Sequence, residues 1–141
     1  MIAMEDVKKS AILLIKPLNI TVYGKEIKEG FKTPCFFVKA SLVNSEMVTK
    51  NFTENEVAVE IIYISQSETD LENVKMNDTL RSIFSQVIAI NDRKLLPQKL
   101  RSDTEEYVLN FKFDLKYLDG VQNNDPAQPS ASKVVINLTG E

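Results

Sequence analysis

The chain has no histidine and no tryptophan, and it contains one cysteine and four glycines among 141 residues. Histidine is the most common general base and the most common metal ligand, so its absence removes both uses at once. A single cysteine cannot form a disulfide within the chain. The glycines do not have the spacing of a phosphate-binding loop or of a dinucleotide-binding turn. These absences leave few routes to catalysis, and they favour an interaction module over an enzyme.

Composition and charge set further limits. Hydrophobic residues make up 43% of the chain and charged residues 26%, which is typical of a soluble globular protein with a single core. The net charge of −3 lacks the basic excess that backbone contacts to nucleic acid require. The apolar run Ala11–Ile15 is too short for a signal peptide or a membrane span. We therefore expect an intracellular protein with no membrane partner.

Two helices are predicted from apolar residues spaced three and four apart. The first covers residues 4–17 and ends at Pro17. The second begins after Thr69, which fits a capping box with Glu72, and runs to about Ile90 with Asn91 as its C-cap. The predicted buried stripe of the second helix comprises Met76, Leu80, Ile83, Phe84, Val87 and Ile88.

Alternating apolar and polar residues predict strands in the first half of the chain. A short strand is predicted at "NITVY" (19–23). A hairpin is predicted between the strand after Pro34 and "EMVTKNF" (46–52), with its turn at Asn44–Ser45 and a break at "TEN" (53–55). The segment "EVAVEIIYIS" (56–65) is apolar on both sides, which predicts a central strand with cover on each face.

The second half of the chain adds an edge strand and a core strand. The edge strand is "RKLLPQKLR" (93–101), because Pro97 cannot donate to a strand ladder. In "YVLNFKFDLKYL" (107–118) the apolar face comprises Tyr107, Leu109, Phe111, Phe113, Leu115 and Tyr117. We predict an α+β fold in which two helices pack on a mainly antiparallel sheet. The predicted domain covers residues 1–120, and residues 121–141 are predicted to be a Pro/Asn/Ser-rich linker with a C-terminal strand arm.

Cys35 is the one candidate nucleophile. A reactive thiolate needs a lowered pKa, usually from histidine, a metal ion or a helix N-terminus, and histidine is absent. Free cysteine commonly behaves as a small buried hydrophobe. We therefore predict that Cys35 is a buried residue at the start of a strand, and a small thiol-dependent enzyme remains the alternative. No cofactor or metal site is predicted.

One stretch of the sequence resembles a known family. The string "ITVYGKEIKEGFKTPCFFVKAS" (20–41) resembles the early block of small phage tail terminators of Gram-positive phages, prophages and phage-tail-like bacteriocins. A strand ending in an aromatic residue, "EIIYIS" (60–65), and the closing strand with Phe111, Phe113 and Tyr117 agree with it. The resemblance covers residues 12–118 in order and is loose over "KNFTENEVAV" (50–59).

The resemblance implies a non-enzymatic virion protein with an α+β fold. Such a protein assembles in the host cytoplasm as a homo-hexameric ring on the head-proximal end of the tail tube. There it ends tube polymerisation and offers a surface to a head connector or collar. The implied partners are the tail tube protein and a sheath, collar or connector protein, with DNA at most passing through the lumen. A head-completion or connector protein of the neck is the nearest alternative.

The resemblance also gives a use to two segments of the chain. Subunits joined head to tail in a ring need two different complementary patches. The mixed charges of Lys25, Glu26, Lys28 and Glu29 are expected to set the register between subunits or with the tube. In the arm, Val134, Val135 and Ile136 are expected to add a strand to a sheet, either its own or a neighbour's.

Overall fold

The computed structural model describes residues 1–23, 32–67 and 69–120. This part of the chain contains two helices, a five-stranded sheet and a small two-stranded hairpin, which confirms the α+β class. The helices are α1 (Met4–Ile15), followed by a 3-10 turn (Lys16–Leu18), and α2 (Asp70–Ile83). The strands are β1 (Thr21–Tyr23), β2 (Cys35–Met47), β3 (Phe52–Ile64), β4 (Ile88–Ile90), β5 (Arg93–Leu95), β6 (Gln98–Glu105) and β7 (Val108–Gly120).

Three long antiparallel strands form the main part of the sheet. Its order is β1-β2-β3-β7-β6, and β1 alone pairs in parallel, with the first three residues of β2. β2, β3 and β7 each have 13 residues, and β3 is paired with β2 on one side and β7 on the other along its length. The prediction of a central strand after residue 55 is therefore confirmed, although β3 begins earlier.

The β2–β3 hairpin turns later than the sequence predicts. β2 continues through Asn44 and Ser45 to Met47, with a bulge between Leu42 and Asn44. The Oγ1 of Thr49 accepts hydrogen bonds from the backbone N–H groups of Asn51 (3.2 Å) and Phe52 (3.1 Å). The predicted turn at 44–45 and the break at 53–55 are therefore wrong, because a threonine hydroxyl closes the turn four residues further on.

The second helix is shorter than predicted. The Oγ1 of Thr69 accepts a hydrogen bond from the N–H of Glu72, so the predicted N-cap is confirmed. The helix ends at Ile83, and residues 88–90 form β4 of the small hairpin. Asn91 has a φ of 56° and lies in the turn between β4 and β5, so it is not a helix C-cap. The Ile-Ala-Ile pattern of 88–90 fits a strand followed by a turn with positive φ.

The core lies on one face of the sheet, where both helices contribute to a single cluster. The fully buried members with the largest side chains are Phe36, Phe84, Phe111, Phe113, Ile15, Ile61, Leu80, Ile90 and Leu115. Phe84, just after α2, stacks on Phe113 of β7 with ring centroids 4.7 Å apart. The alternation predicted for β7 is thus confirmed over residues 109–117.

Three details of the predicted core are wrong. Val87, predicted in the buried stripe of the second helix, lies beyond the end of α2 and is 55% exposed. Tyr107 is exposed, because Glu106 and Tyr107 both have positive φ and form the two-residue turn between β6 and β7. Ala58, Ile62 and Ile64, on the second face of β3, are only half-buried, so that face has less cover than predicted. Neither helix of the described residues has the length and apolar character needed to cross a membrane.

Candidate functional site

The three long strands extend beyond the part of the sheet that the helices cover. In β2, residues Cys35, Phe36 and Val38 are buried, whereas every residue from Ser41 to Met47 is exposed. We define the projecting half of the sheet as residues 42–56 and 116–120, which comprise the outer parts of β2, β3 and β7 and the turn between β2 and β3. The remaining parts of these strands form the covered half.

The projecting half carries large apolar side chains that face solvent. They are Leu42, Val43, Met47, Val48, Phe52 and Leu118, each between 46% and 62% exposed. Leu118 is paired with Glu54, which places Phe52 and Leu118 in diagonal positions on the same face of the sheet. Strand pairing places Leu42 opposite Val57 and Met47 opposite Thr53, on the other face of the sheet, so the exposed apolar side chains lie on both faces of the projecting half. Because a soluble monomer seldom exposes several large apolar side chains close together without a use for them, this group is a candidate contact surface. We call these six residues the apolar group.

Acidic residues lie beside the apolar group on the same face as Phe52. Glu46 and Glu54 are directly opposite each other across β2 and β3, and Glu56 is paired with Lys116 of β7. Like charges in directly opposite positions destabilise a strand pair. This face therefore combines apolar side chains with an excess of negative charge.

A polar network holds the projecting half together on its other face. The Ser45 hydroxyl donates to the Asn55 amide oxygen at 2.6 Å, and the Asn55 amide nitrogen donates to Asp119 at 3.0 Å. Arg93 of β5 completes the network by donating to the second oxygen of Asp119 at 2.9 Å, and its guanidinium lies over the Tyr117 ring. Asp119 is 8% exposed, so this carboxylate is paired where water has little access.

The outer face of the covered half is charged in alternation. Strand pairing aligns Lys39, Glu60, Lys112 and Arg101 in one row across β2, β3, β7 and β6. Arg101 also donates to Asp114 at 3.2 Å. An open groove touches this row and is lined by Met4, Glu5, Lys8, Lys39, Ala40, Ser41, Ala58, Val59, Glu60, Arg101 and Lys112. Such a face suits solvent or a polar partner.

Cys35 is placed as the sequence predicts. It begins β2 and is fully buried, and burial raises the pKa of its thiol. A raised pKa keeps the thiol protonated near neutral pH, which is the reverse of what a nucleophile needs. The described residues contain no group of three or more His, Cys, Asp or Glu side chains placed to hold a metal ion.

The predicted interface residues lie outside the described part of the chain. This applies to Lys25, Glu26, Lys28 and Glu29 and to Val134, Val135 and Ile136. The positions on either side of the first segment are described. There the backbone N–H of Lys32 donates to the Tyr23 hydroxyl at 3.0 Å, and the Tyr23 ring stacks on Phe37 at 5.5 Å. The roles of the seven residues stay predictions.

The projecting half was not predicted from the sequence. The predicted turn at Asn44–Ser45 shortened β2 and left out the exposed strand beyond it. Residues 45–47 (Ser-Glu-Met) do not alternate between apolar and polar, and the bulge between Leu42 and Asn44 shifts the phase of the strand, so the sequence contains no clear signal for this part of β2.

Comparison with known protein families gives a match over most of the chain. The model of a protein family described as "Phage tail terminator protein" matches residues 6–127. The matched range includes all of β1 to β7 and both segments of the projecting half. No curated protein matches the chain.

Proposed function

Because the chain belongs to the phage tail terminator family, we propose that it forms a ring of six subunits that ends the tail tube. The ring occupies the head-proximal end of the tube, stops polymerisation and offers a surface to a head connector or collar. The membership itself indicates a structural component of a virion tail, and a structural role points to a protein without catalytic activity.

The observation that carries this proposal is the apolar group on the projecting half. Fully burying one Leu, Met or Phe side chain is worth about 1.5–3 kcal/mol, so six half-exposed residues represent stabilisation that the monomer does not use. A ring with head-to-tail contacts buries such a surface against a different patch of the next subunit. The polar network around Asp119 supports this use, because it fixes the strands that present the apolar group.

The predicted interface residues have specific roles in this proposal. Lys25, Glu26, Lys28 and Glu29 set the register between subunits or toward the tube through their alternating charges. Val134, Val135 and Ile136 belong to a strand-forming arm that joins subunits.

The surroundings of the ring follow from its place in the particle. Its partners are other copies of the chain, the tail tube protein and a sheath, collar or head-connector protein. Assembly takes place in the cytoplasm of the bacterial host. The net charge of −3 does not attract the DNA backbone, so DNA at most passes through the lumen.

Deletion of the gene in the producing bacterium tests the proposal. Electron microscopy of the particles measures the distribution of tail length. We expect tails of variable and excessive length without the protein, and uniform tails when the wild-type gene is restored. Tails of uniform, normal length in the deletion strain would contradict termination. A neck protein, in contrast, would leave tail length uniform and abolish attachment of the head.

Complementation with variants then tests the surface. The double variant Phe52→Ser, Leu118→Ser removes two members of the apolar group, and we expect it to restore uniform tails poorly. Leu13→Ser is the matched control, because Leu13 is 64% exposed on α1, away from the projecting half. Full restoration by the double variant would show that the face carrying Phe52 and Leu118 is not the contact surface.

A further inference from the structure

One long edge of the sheet is unpaired in the described part of the chain. β1 pairs only with residues 35–37 of β2, so from Val38 to Met47 the outer side of β2 has no strand beside it among the described residues. Each unpaired edge presents backbone N–H and C=O groups that can extend the sheet.

The two edges of the sheet differ in how they oppose strand addition. On β6, charged residues recur along the strand: Lys99, Arg101, Asp103 and Glu105. On β2, the segment 40–45 ("ASLVNS") contains no charged residue and no proline. Charges and prolines on an edge are the usual protection against pairing with another chain. From Ala40 to Ser45 the β2 edge has neither charges nor prolines, with Lys39 directly before this stretch and the bulge inside it.

The described residues place no strand beside this edge beyond Phe37. The open groove that Lys39, Ala40 and Ser41 line lies over the outer face of the sheet, since it continues across β3, β7 and β6, and Met4 and Glu5 of α1 border it. The bulge between Leu42 and Asn44 interrupts the ladder, so the regular run available to a new strand is residues 38–42. A strand of five or six residues fits this run.

We propose that the run 38–42 of β2 receives residues 133–138 ("KVVINL") of a neighbouring subunit as an added antiparallel or parallel strand. The inference rests on the proposed ring and names the contact that joins its subunits. Val134, Val135 and Ile136 are β-branched residues, which favour strands, and strand addition covers the exposed Leu42 with apolar side chains.

The length of the connecting segment supports exchange between subunits. Residues 121–132 ("VQNNDPAQPSAS") have two prolines and little apolar surface to pack. Twelve extended residues span up to about 40 Å. A chain of this size has a radius of gyration of about 14 Å when folded, so the arm can leave its own subunit. Each subunit then donates one arm and accepts another, which supplies the two different patches that a ring needs.

Disulfide cross-linking in assembled particles tests the inference. Two copies of the gene are placed in the deletion strain, one with Ser41→Cys and the other with Val134, Val135 or Ile136 changed to Cys, one at a time. Ser41 is exposed within the proposed run, and the native Cys35 is fully buried and does not compete. Opposite residues of neighbouring strands have Cβ atoms about 4.5–5.5 Å apart, which is close to the Cβ–Cβ distance that a disulfide spans.

We expect a covalent dimer on non-reducing gels with at least one of the three arm positions. The matched control replaces Ser41→Cys with Ser102→Cys on the β6 edge, which should lose the dimer. The inference is overturned if Ser41→Cys gives no dimer with any arm position. A single chain that carries both substitutions gives a second test. The inference is also overturned if this chain forms an internal disulfide and the strain with the two genes gives no dimer, because the arm then pairs with its own sheet. If the cross-link is absent but the tails in the same samples are uniform, the inference about the arm fails and the proposed role in tail termination does not. The failure of the inference is therefore distinguishable from the failure of the proposed function.

Discussion

The covered and projecting halves of the sheet contain the same three strands, yet they bury very different fractions of their apolar side chains. In the covered half, Phe36, Ile61 and Phe111 are at most 1% exposed. In the projecting half, Leu42, Met47 and Phe52 are about half exposed or more. The comparison shows that the monomer is stabilised by one end of its long strands, while the other end is held in shape and left accessible.

The means of stabilisation also differ between the halves. Aromatic side chains pack against the helices in the covered half, with Phe84 stacked on Phe113. In the projecting half, hydrogen bonds link Ser45, Asn55 and Asp119 to Arg93. A polar network supports a surface without hiding its apolar residues, whereas a hydrophobic layer would bury them.

The largest expected effect is on the covered half. Phe113→Ala removes a fully buried ring and should lower the free energy of unfolding by about 3–5 kcal/mol, through lost burial and the cavity that remains. Chemical denaturation followed by circular dichroism measures this. Leu13→Ala, at an exposed position of α1, is the control and should change stability little. A loss below about 1 kcal/mol would contradict the assignment of Phe113 to the core.

A smaller effect is expected from the polar network. Asp119→Asn removes the charge that Arg93 binds and should cost about 1–2 kcal/mol, reduced by solvent screening because the Arg93 side chain is 34% exposed. Asp78→Asn is the control. Its pair with Arg81 is about two-thirds exposed, and its loss should cost no more than about 0.5 kcal/mol. Equal costs for the two variants would show that the network adds no stability to the projecting half.

High pH should destabilise the folded chain through groups in both halves of the sheet. Burial raises the pKa of the Cys35 thiol and of the Tyr63 and Tyr117 hydroxyls. The unfolded chain then releases these protons at lower pH than the folded chain does. Stability is therefore fully present at neutral pH, and it falls as pH rises above about 8.5 for the thiol and about 10 for the phenols.

Denaturation midpoints measured across this alkaline range test whether stability falls as pH rises. Cys35→Ala should flatten the fall between about pH 8.5 and 10, because the thiol no longer titrates. The slope is compared within each variant, so a change in overall stability does not interfere. A midpoint that rises with pH in the wild-type protein would show that these three groups do not control alkaline stability.

The smallest effect on folding is expected from the apolar group. Phe52→Ser and Leu118→Ser should each change the free energy of unfolding by no more than about 0.5 kcal/mol, since both side chains are close to half exposed. Denaturation of the isolated protein measures this beside the tail-length assay. A loss of several kcal/mol would show that the projecting half is part of the folding core, and the distinction between the halves would fail.

The covered half is the part that the sequence predicts well. The alternation around Phe111 and Phe113 matches the period of a strand buried on one face, and this period leaves little ambiguity. The burial of Cys35 follows from its apolar neighbours in the same way. These predictions succeed because burial imposes a regular pattern on adjacent residues.

The rest of the fold depends on local choices that periodicity does not decide. Val87 and Ile88 fit a continued helix as well as a strand, and the structure ends α2 at Ile83. Asn44–Ser45 resembles a turn, yet the bulge before it lets β2 continue. The projecting half was missed for this reason, since an exposed strand has no buried face that would reveal its period. Residues 24–31 and 121–141, with all seven predicted interface residues, lie outside the described chain.

The ion pair between Asp119 and Arg93 has a consequence for whatever follows Gly120. It anchors the end of β7 one residue before the described chain stops, at a defined point beside the β2–β3 turn. A contact made by the residues that follow then depends on the effective concentration that the tether sets, and not on the concentration of free molecules. Contacts too weak to form between free molecules become sufficient under this condition, and they form only where the tether can reach.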